Sequence, residues 1–240
     1  MILGLNTGYG NVSIGLSTKG EVLASESSES WSRSLESLQI HIDSVLSLAK
    51  VSISELTGIG VVVGPGSYTS LRLGVVTAKT MAQVLGVPIC AIPTYEALLS
   101  MSLPLSGVAV VLIPARGDEY AVSIYDCDGS DISCRVENKL YSESQLIEEG
   151  LGLDGERFFI GTLPSALKDV VLDKKSCRVI ESGCLGGGVL ASMADARLRE
   201  GGGVSYTEVV PIYMGPPVKK AGVSKKQWAQ SPVNRKKGFN

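Results

Sequence analysis

The stretch Gly60-Val61-Val62-Val63, followed by Gly64-Pro65-Gly66-Ser67-Tyr68-Thr69-Ser70-Leu71-Arg72-Leu73-Gly74, constrains the fold more than any other. A β-branched apolar run that stops at Gly-Pro-Gly reads as a buried strand ending in a tight turn. Gly64 and Gly66 admit backbone angles closed to other residues, and Pro65 fixes one φ between them. Ser67 and Thr69 are expected to cap a helix that starts near Ser70 and leaves unpaired amide donors at its N-terminus. Such an end attracts anions, so Gly64, Gly66, Ser67, Tyr68 and Thr69 are the candidate anion- or nucleotide-proximal loop. The plainer reading is a strand-to-helix turn that binds nothing.

The helix that follows, about Ser70 to Leu85, ends at Gly86 as a C-cap and has two apolar faces. Leu71, Val75, Ala78, Ala82 and Leu85 line one side at helical spacing, whereas Leu73, Val76 and Val84 line the other, eased by Thr77 and Thr80. Arg72, Lys79 and Gln83 form a polar stripe between them. A helix covering its own sheet needs one apolar face. The longer stripe is expected to cover the sheet, and the shorter one to meet another helix of the chain or a partner protein.

Around this unit the chain repeats itself. Ile2–Leu5, Val12–Leu16 and Glu21–Glu26 read as an antiparallel meander, followed by a serine-rich loop to Ser34 and a helix with Leu35, Leu38, Ile42, Val45 and Ala49 on one face. His41, the sole histidine, lies beside that stripe and is expected to be a surface or packing residue. After the glycine turn come a strand Val87–Ile92 and a helix from Thr94 to about Leu103. From Gly107 the order starts again: Val108–Ile113, Tyr120–Tyr125 and Ile132–Val136 as strands, a capping-box pattern Ser142-x-x-Gln145, a strand Arg157–Gly161 and a helical stretch Val189–Arg199 interrupted upstream by Leu185-Gly186-Gly187-Gly188. Two such halves predict an α/β protein of two ribonuclease-H-like lobes, the architecture of the actin, hexokinase and Hsp70 superfamily. The predicted division is 1–104 for the first lobe with its partner-binding helices, 105–218 for a smaller, less regular second lobe, and 219–240 for a basic, mobile tail.

Charge is distributed unevenly. No acid follows Glu208, while Lys219, Lys220, Lys225, Lys226, Arg235, Lys236 and Lys237 supply seven cations; 22 bases less these seven leaves 15 against 24 acids, so the body is near −9. Phosphate attraction dominates nucleic-acid affinity, so an acidic body is a poor RNA binder by itself. The five cysteines, Cys90, Cys127, Cys134, Cys177 and Cys184, include no CxxC pair and are expected to be reduced core residues. The opening MILGLNTGYG lacks a basic region, and its apolar run is too short for a signal or membrane span. Cytoplasmic location is the expectation.

The string GPGSYTSLRLG resembles the GPGSFTGxRIG motif of the TsaB (YeaZ) family, the non-catalytic partner in bacterial tRNA threonylcarbamoyladenosine synthesis, with Ser70 where the family has glycine. The resemblance runs from Met1 to about Met214, where Pro211-Ile212-Tyr213 is similar to the family's P-x-Y-L-R. It departs at 30–34 (Trp31-Ser32-Arg33 in place of a histidine-containing string) and at Gly215. Asn6 stands where relatives read aspartate, and Pro114-Ala115-Arg116 stands where they read Asp-Ala-Arg; Asp118 belongs to the hairpin. Kinases of the superfamily need a carboxylate on the first strand, because magnesium takes hard oxygen ligands. The resemblance implies a subunit with no catalytic residue, metal or cofactor of its own. ATP or ADP and a metal ion would sit on a TsaD-like catalytic subunit and a TsaE-like ATPase. The first-lobe helices, at Leu35, Leu38, Ile42, Arg72, Leu73, Val76, Thr80 and Val84, would meet the TsaD-like partner, or a second copy when it is absent. tRNA would be reached only through the complex, and no membrane is involved. The alternative is a small-molecule kinase or ATPase of the same superfamily. One histidine cannot supply the histidine pair with which TsaD holds its metal, nor does Ser67 have a base for peptidase chemistry.

The composition of the tail cannot bury a core. Deleting residues 219–240 is therefore expected to leave the thermal midpoint within about 1 °C of the full chain, less than the roughly 2–4 °C that a 1 kcal/mol change produces at this size, as differential scanning fluorimetry would show.

Overall fold

The computed structural model describes residues 1–28 and 38–214. Leu35, the departure at 30–34 and the basic tail lie outside the described residues.

Two five-stranded sheets carry the chain. In the first, β1 (Ile2–Asn6), β2 (Ser13–Thr18) and β3 (Glu21–Ser27) form the expected meander, and β4 (Gly58–Gly64) and β5 (Ile89–Pro93) add in parallel, giving the order β3-β2-β1-β4-β5. In the second, β6 (Leu105–Pro114), β7 (Glu119–Gly129) and β8 (Asp131–Ser142) are antiparallel, and β9 (Arg157–Gly161) and β10 (Cys177–Glu181) run parallel, in the order β10-β9-β6-β7-β8. The two orders are the same topology read from opposite edges. Both lobes are thus ribonuclease-H-like, as the repeated sequence order implies.

Alternation along the first sheet divides the interior in two. Leu3, Leu5, Ile59, Val61, Val63 and Ile89 point to one side, where they pack with α1 (Leu38–Ala49) and α2 (Tyr68–Leu85). Ile2, Val62, Cys90 and Ile92 point to the other, into a core shared with α3 (Thr94–Ser100) and with Ala109, Val111, Ile113, Tyr125, Phe158 and Ile160 of the second sheet. One apolar core therefore joins the lobes. A third cluster fills the outer side of the second sheet beneath α4 (Glu143–Leu151), which opens on the predicted Ser142–Gln145 capping box, and α5 (Ser165–Leu172). α3 stops at Ser100, short of the predicted Leu103.

The main correction concerns α6 (Gly187–Arg199). Its place after the second-lobe strands suggested that it belongs with residues 105–218, yet it lies on the first sheet, against β1, β2, β3 and β4. The reason is steric. A Cβ on Gly4 or Gly15 would come within 3.0 Å of the backbone of Gly187, Gly188 or Ala191, and one on Gly60 would strike the Ala194 side chain. Glycines in strand interiors mark such close approaches. The triple glycine that looked like an interruption is the start of the helix and the place where it meets the strands. After α6 the chain stays with the first lobe: Val204 bridges Ile89, Val209 is buried, and the Ile212 amide donates to the Val63 carbonyl at 2.7 Å.

The cysteines divide: Cys90 and Cys127 are buried as expected, Cys177 is half-buried, and Cys134 and Cys184 are exposed. His41 is half-buried, with Nδ1 2.9 Å from the Glu26 carboxylate. That carboxyl is held below its usual range, first by a hydrogen bond from Ser44 and then, against the opposing effect of burial, by His41.

Gly186 and Gly187 separate packing from backbone freedom. A Cβ at Gly186 meets nothing closer than 3.9 Å, whereas one at Gly187 would enter the Ile14–Gly15 backbone. Gly187→Ala is expected to destabilise the protein by about 2–4 kcal/mol and Gly186→Ala by less than about 1 kcal/mol, measured by urea unfolding.

Candidate functional site

The resemblance stated above points to the lobe hairpins as the place to look for chemistry. Asn6 ends β1 there and is fully buried. Its Oδ1 accepts from the amides of Gly8 and Tyr9, at 3.1 and 3.2 Å. Its Nδ2 donates toward the carbonyls of Tyr9, Asn11 and Leu185, at 2.8, 2.9 and 2.8 Å. Asn6 thereby folds its own hairpin loop and ties it to the segment leading into α6. Three carbonyl oxygens converging on an amide nitrogen leave no carboxylate for a hard divalent ion, which prefers charged oxygen ligands. Pro114, its counterpart on β6, is exposed beside the turn 116–119, as are Arg116 and Asp118. Among the described residues no three His, Cys, Asp or Glu side chains gather as a metal site would require. The described residues do not fit a catalytic magnesium.

Tyr9, on the same loop, crosses to the second lobe. Its hydroxyl donates to the Ser182 carbonyl and receives a hydrogen bond from Thr162 Oγ1 at 3.0 Å. Burial pushes the phenol pKa up and so favours the neutral hydroxyl. A Cβ on Gly10 would strike the Gly183 carbonyl, and the Gly187 amide donates to Ser13 Oγ at 2.8 Å. Residues 182–187 therefore fill the space beside the first hairpin with the chain's own backbone.

The glycine turn docks on that hairpin. A Cβ on Gly66 would enter the Gly8 carbonyl, to which the Ser67 amide donates at 2.9 Å, and Thr7 Oγ1 donates to the Ser70 carbonyl at 2.7 Å. Gly64 adopts a φ of 113°, closed to side chains, and is covered by Ile212. The helix begins at Tyr68, two residues earlier than predicted. Ser67 is the N-cap but its side chain makes no capping bond; its Oγ lies 2.9 Å from Ser70 Oγ, and Thr69 is exposed in the first turn. The expected serine and threonine caps are thus absent, because Ser67 pairs with the residue that replaces the family's glycine.

Tyr68 does not line this turn. Its ring lies 4.6 Å from that of Tyr213, and the Arg72 guanidinium stands 4.1 Å from the Tyr68 centroid and donates to Tyr213 Oη at 2.9 Å. Arg72, expected to face a partner, is engaged with the chain's own returning segment, which Lys79 also holds through the Val209 carbonyl at 3.0 Å. The polar stripe of α2 is where residues 204–214 lie down. No sequence signal marked that strap except the Pro-Ile-Tyr string.

The outer helix face needs a second correction. Leu38 and Ile42, expected at a partner interface, are buried in the first lobe's own core with Val45 and Leu46; Leu73 is half-buried against the same cluster. Val75, Ala78 and Ala82 cover the sheet as predicted, with Leu85 half-buried beside them, whereas Leu71 is buried in the core shared with the second lobe. What faces outward is Val76, Thr80 and Val84 on α2, with Val76 60% and Val84 80% exposed, and Ile40 and Leu48 on α1, 67% and 66% exposed. The α1 stripe was predicted one face away from the residues that are free.

The family described as TsaD, tRNA N6-adenosine threonylcarbamoyltransferase, matches residues 25–174, well over half of the chain. The tRNA threonylcarbamoyladenosine biosynthesis protein TsaB of Bacillus subtilis (strain 168) is 33% identical over 84 residues, which cover 35% of this chain and 37% of that protein. The tRNA N6-adenosine threonylcarbamoyltransferase of Geotalea uraniireducens (strain Rf4) is 42% identical over 62 residues, 26% of this chain and 18% of that protein. The chain thus matches well under half the length of either relative. The solved structure of YeaZ from Pseudomonas aeruginosa has the same fold at a TM-score of 0.72 and 20% identity, covering 89% of this chain and 99% of that one. No described helix is long and apolar enough to cross a membrane. The chain belongs to the tRNA N6-adenosine threonylcarbamoyltransferase (TsaD) family, and its likeness within it is to the TsaB (YeaZ) proteins.

Proposed function

We propose that this chain is a non-catalytic partner subunit for a TsaD-like enzyme that transfers the threonylcarbamoyl group to adenosine 37 of tRNAs reading A-starting codons. The observation that carries the reading is the Asn6 position, where the fold's metal-binding carboxylate is replaced by an amide committed to three backbone carbonyls. A superfamily scaffold without that carboxylate, with its own backbone packed beside the hairpin, has lost the groups that phosphoryl chemistry needs. The outward apolar residues Val76, Val84, Ile40 and Leu48 offer what a binding partner needs instead. In this reading the TsaD-like subunit docks on α1 and α2, a second copy takes its place when it is absent, and a TsaE-like ATPase joins the assembly in the cytoplasm. Nucleotide and metal belong to those partners. The small-molecule kinase or ATPase reading explains the lobes but not Asn6 or Pro114.

A charge placed at the centre of an interface opposes assembly without disturbing a monomer in which that position is exposed. Val76→Glu is expected to abolish co-elution with the TsaD-like protein in size-exclusion chromatography while leaving the thermal midpoint nearly unchanged. Leu71→Glu buries an unpartnered charge and is expected to prevent folding. Assembly of the Val76→Glu protein with full tRNA modification would overturn the interface.

Asn6→Asp tests the hairpin. A carboxylate oxygen in place of Nδ2 would face three carbonyls, so the folded-state pKa of the new group is raised. A raised folded-state pKa leaves stability intact below the unfolded value near 4 and removes it as pH rises through the folded value. The midpoint deficit of the variant relative to the parent is therefore expected to be large at pH 7 and to shrink toward pH 4. Full restoration at pH 7 by millimolar Mg²⁺ would favour the kinase reading.

A further inference from the structure

We infer that Arg72, clamped between two tyrosines, is the polar anchor of the α2 docking face and takes a carboxylate of the partner protein. The inference rests on the partner-subunit reading above and gives that face its one recognition charge. Arg72, Val76, Thr80 and Val84 follow one another at every fourth position and are all exposed, so the guanidinium heads the same outward row as the apolar side chains. The clamp fixes where it stands. Tyr68 lies one turn before it and Tyr213 arrives on the returning strap; the guanidinium carbon is 4.1 and 5.6 Å from the two ring centroids. Nε donates to Tyr213 Oη at 2.9 Å. The strap is itself fastened by the Ile212 amide on the Val63 carbonyl and by Lys79 on the Val209 carbonyl. A long side chain that ordinarily loses rotamer freedom on binding is thus held in advance.

What the clamp lacks is a counter-charge. Among the described residues four other arginines reach a carboxylate of the chain, and Arg72 reaches none. Between Glu55 and Glu96 the only charged residues are Arg72 and Lys79, and the carbonyl that Lys79 holds is neutral. Tyrosine rings and hydroxyls favour a cation without cancelling its charge. The guanidinium offers a planar fork that matches a carboxylate or a phosphate through two parallel bonds. The surroundings decide between the two. Nucleic acid is gripped through many phosphates, and one arginine beside an apolar row supplies too few, on a body whose net charge is negative. A protein that covers Val76 and Val84 can set an acid at the head of the same row. Tyrosine and arginine, the residue types gathered there, are those that most often carry binding energy at protein interfaces.

The test measures assembly of the full chain with the TsaD-like protein by isothermal titration calorimetry at low and at high salt. Arg72→Gln is expected to weaken assembly about tenfold or more at low salt, and to lose less affinity than the parent as salt rises. Arg72→Lys keeps the charge but not the fork, and is expected to restore the salt dependence without the affinity. Tyr213→Phe removes the hydrogen bond that positions Arg72, and is expected to weaken assembly severalfold with the salt dependence of the parent. Parent-like affinity and salt dependence in Arg72→Gln would overturn the inference. So would parent-like affinity in Arg72→Lys, since an unclamped point charge would then suffice. Unchanged assembly of Arg72→Gln, with weaker binding of a tRNA transcript to the assembled complex, would identify phosphate as the ligand and overturn it as well. Failure of the parent chain to assemble at all would instead overturn the partner-subunit reading.

Discussion

The structure depends on how closely one helix can approach one sheet. α6 lies with its first turns directly on β1 and β2, at a distance that no side chain on Gly4, Gly15 or Gly187 would permit. This contact sets the height of the helix above the sheet, and with it the position of Leu185, Leu190 and Ala194 in the core that joins the lobes. Close backbone approach over small residues gains dispersion contacts that larger residues would forfeit through displacement. The Leu185 carbonyl is thereby brought to Asn6, and Ser182 to Tyr9.

From that contact the character of the hairpin site follows. The first hairpin is fastened to the second lobe through Tyr9 and to α6 and the segment before it through Ser13 and Asn6. Each of these polar groups is satisfied by protein, and a buried polar group with its partners present stiffens the structure around it. The outer face of the first sheet differs in kind. There the helices present valine, isoleucine and leucine to solvent.

Much of this was legible in the sequence. The strand β4, the glycine turn, the buried stripe of α2 and the repeated meander follow from local periodicity and turn chemistry, because each is decided by residues adjacent in the chain. Helix α6 was assigned to the wrong lobe because sequence order favours neighbours, whereas its packing is decided by single glycines on strands more than 120 residues away. The glycines inside β1, β2 and β4 were the available signal. On α1 the apolar stripe was found but its direction was misjudged: Leu38 and Ile42 complete the core, and Ile40 and Leu48, which look like imperfections in the periodicity, are the residues left outside. The strap at 204–214 has almost no regular structure, so periodicity could not find it.

The return of the chain to its starting lobe has a consequence for synthesis. The first sheet is translated first, but its inner face lacks α6, its edge strand lacks Val204 and the end of β4 lacks Ile212 until the second lobe has been made. Domains generally fold as units in the order of their synthesis, and contacts between distant residues slow the search. Here the lobe begun first is finished last. The glycine-lined face waits uncovered while the second lobe is translated, and residues 187–212 then close it.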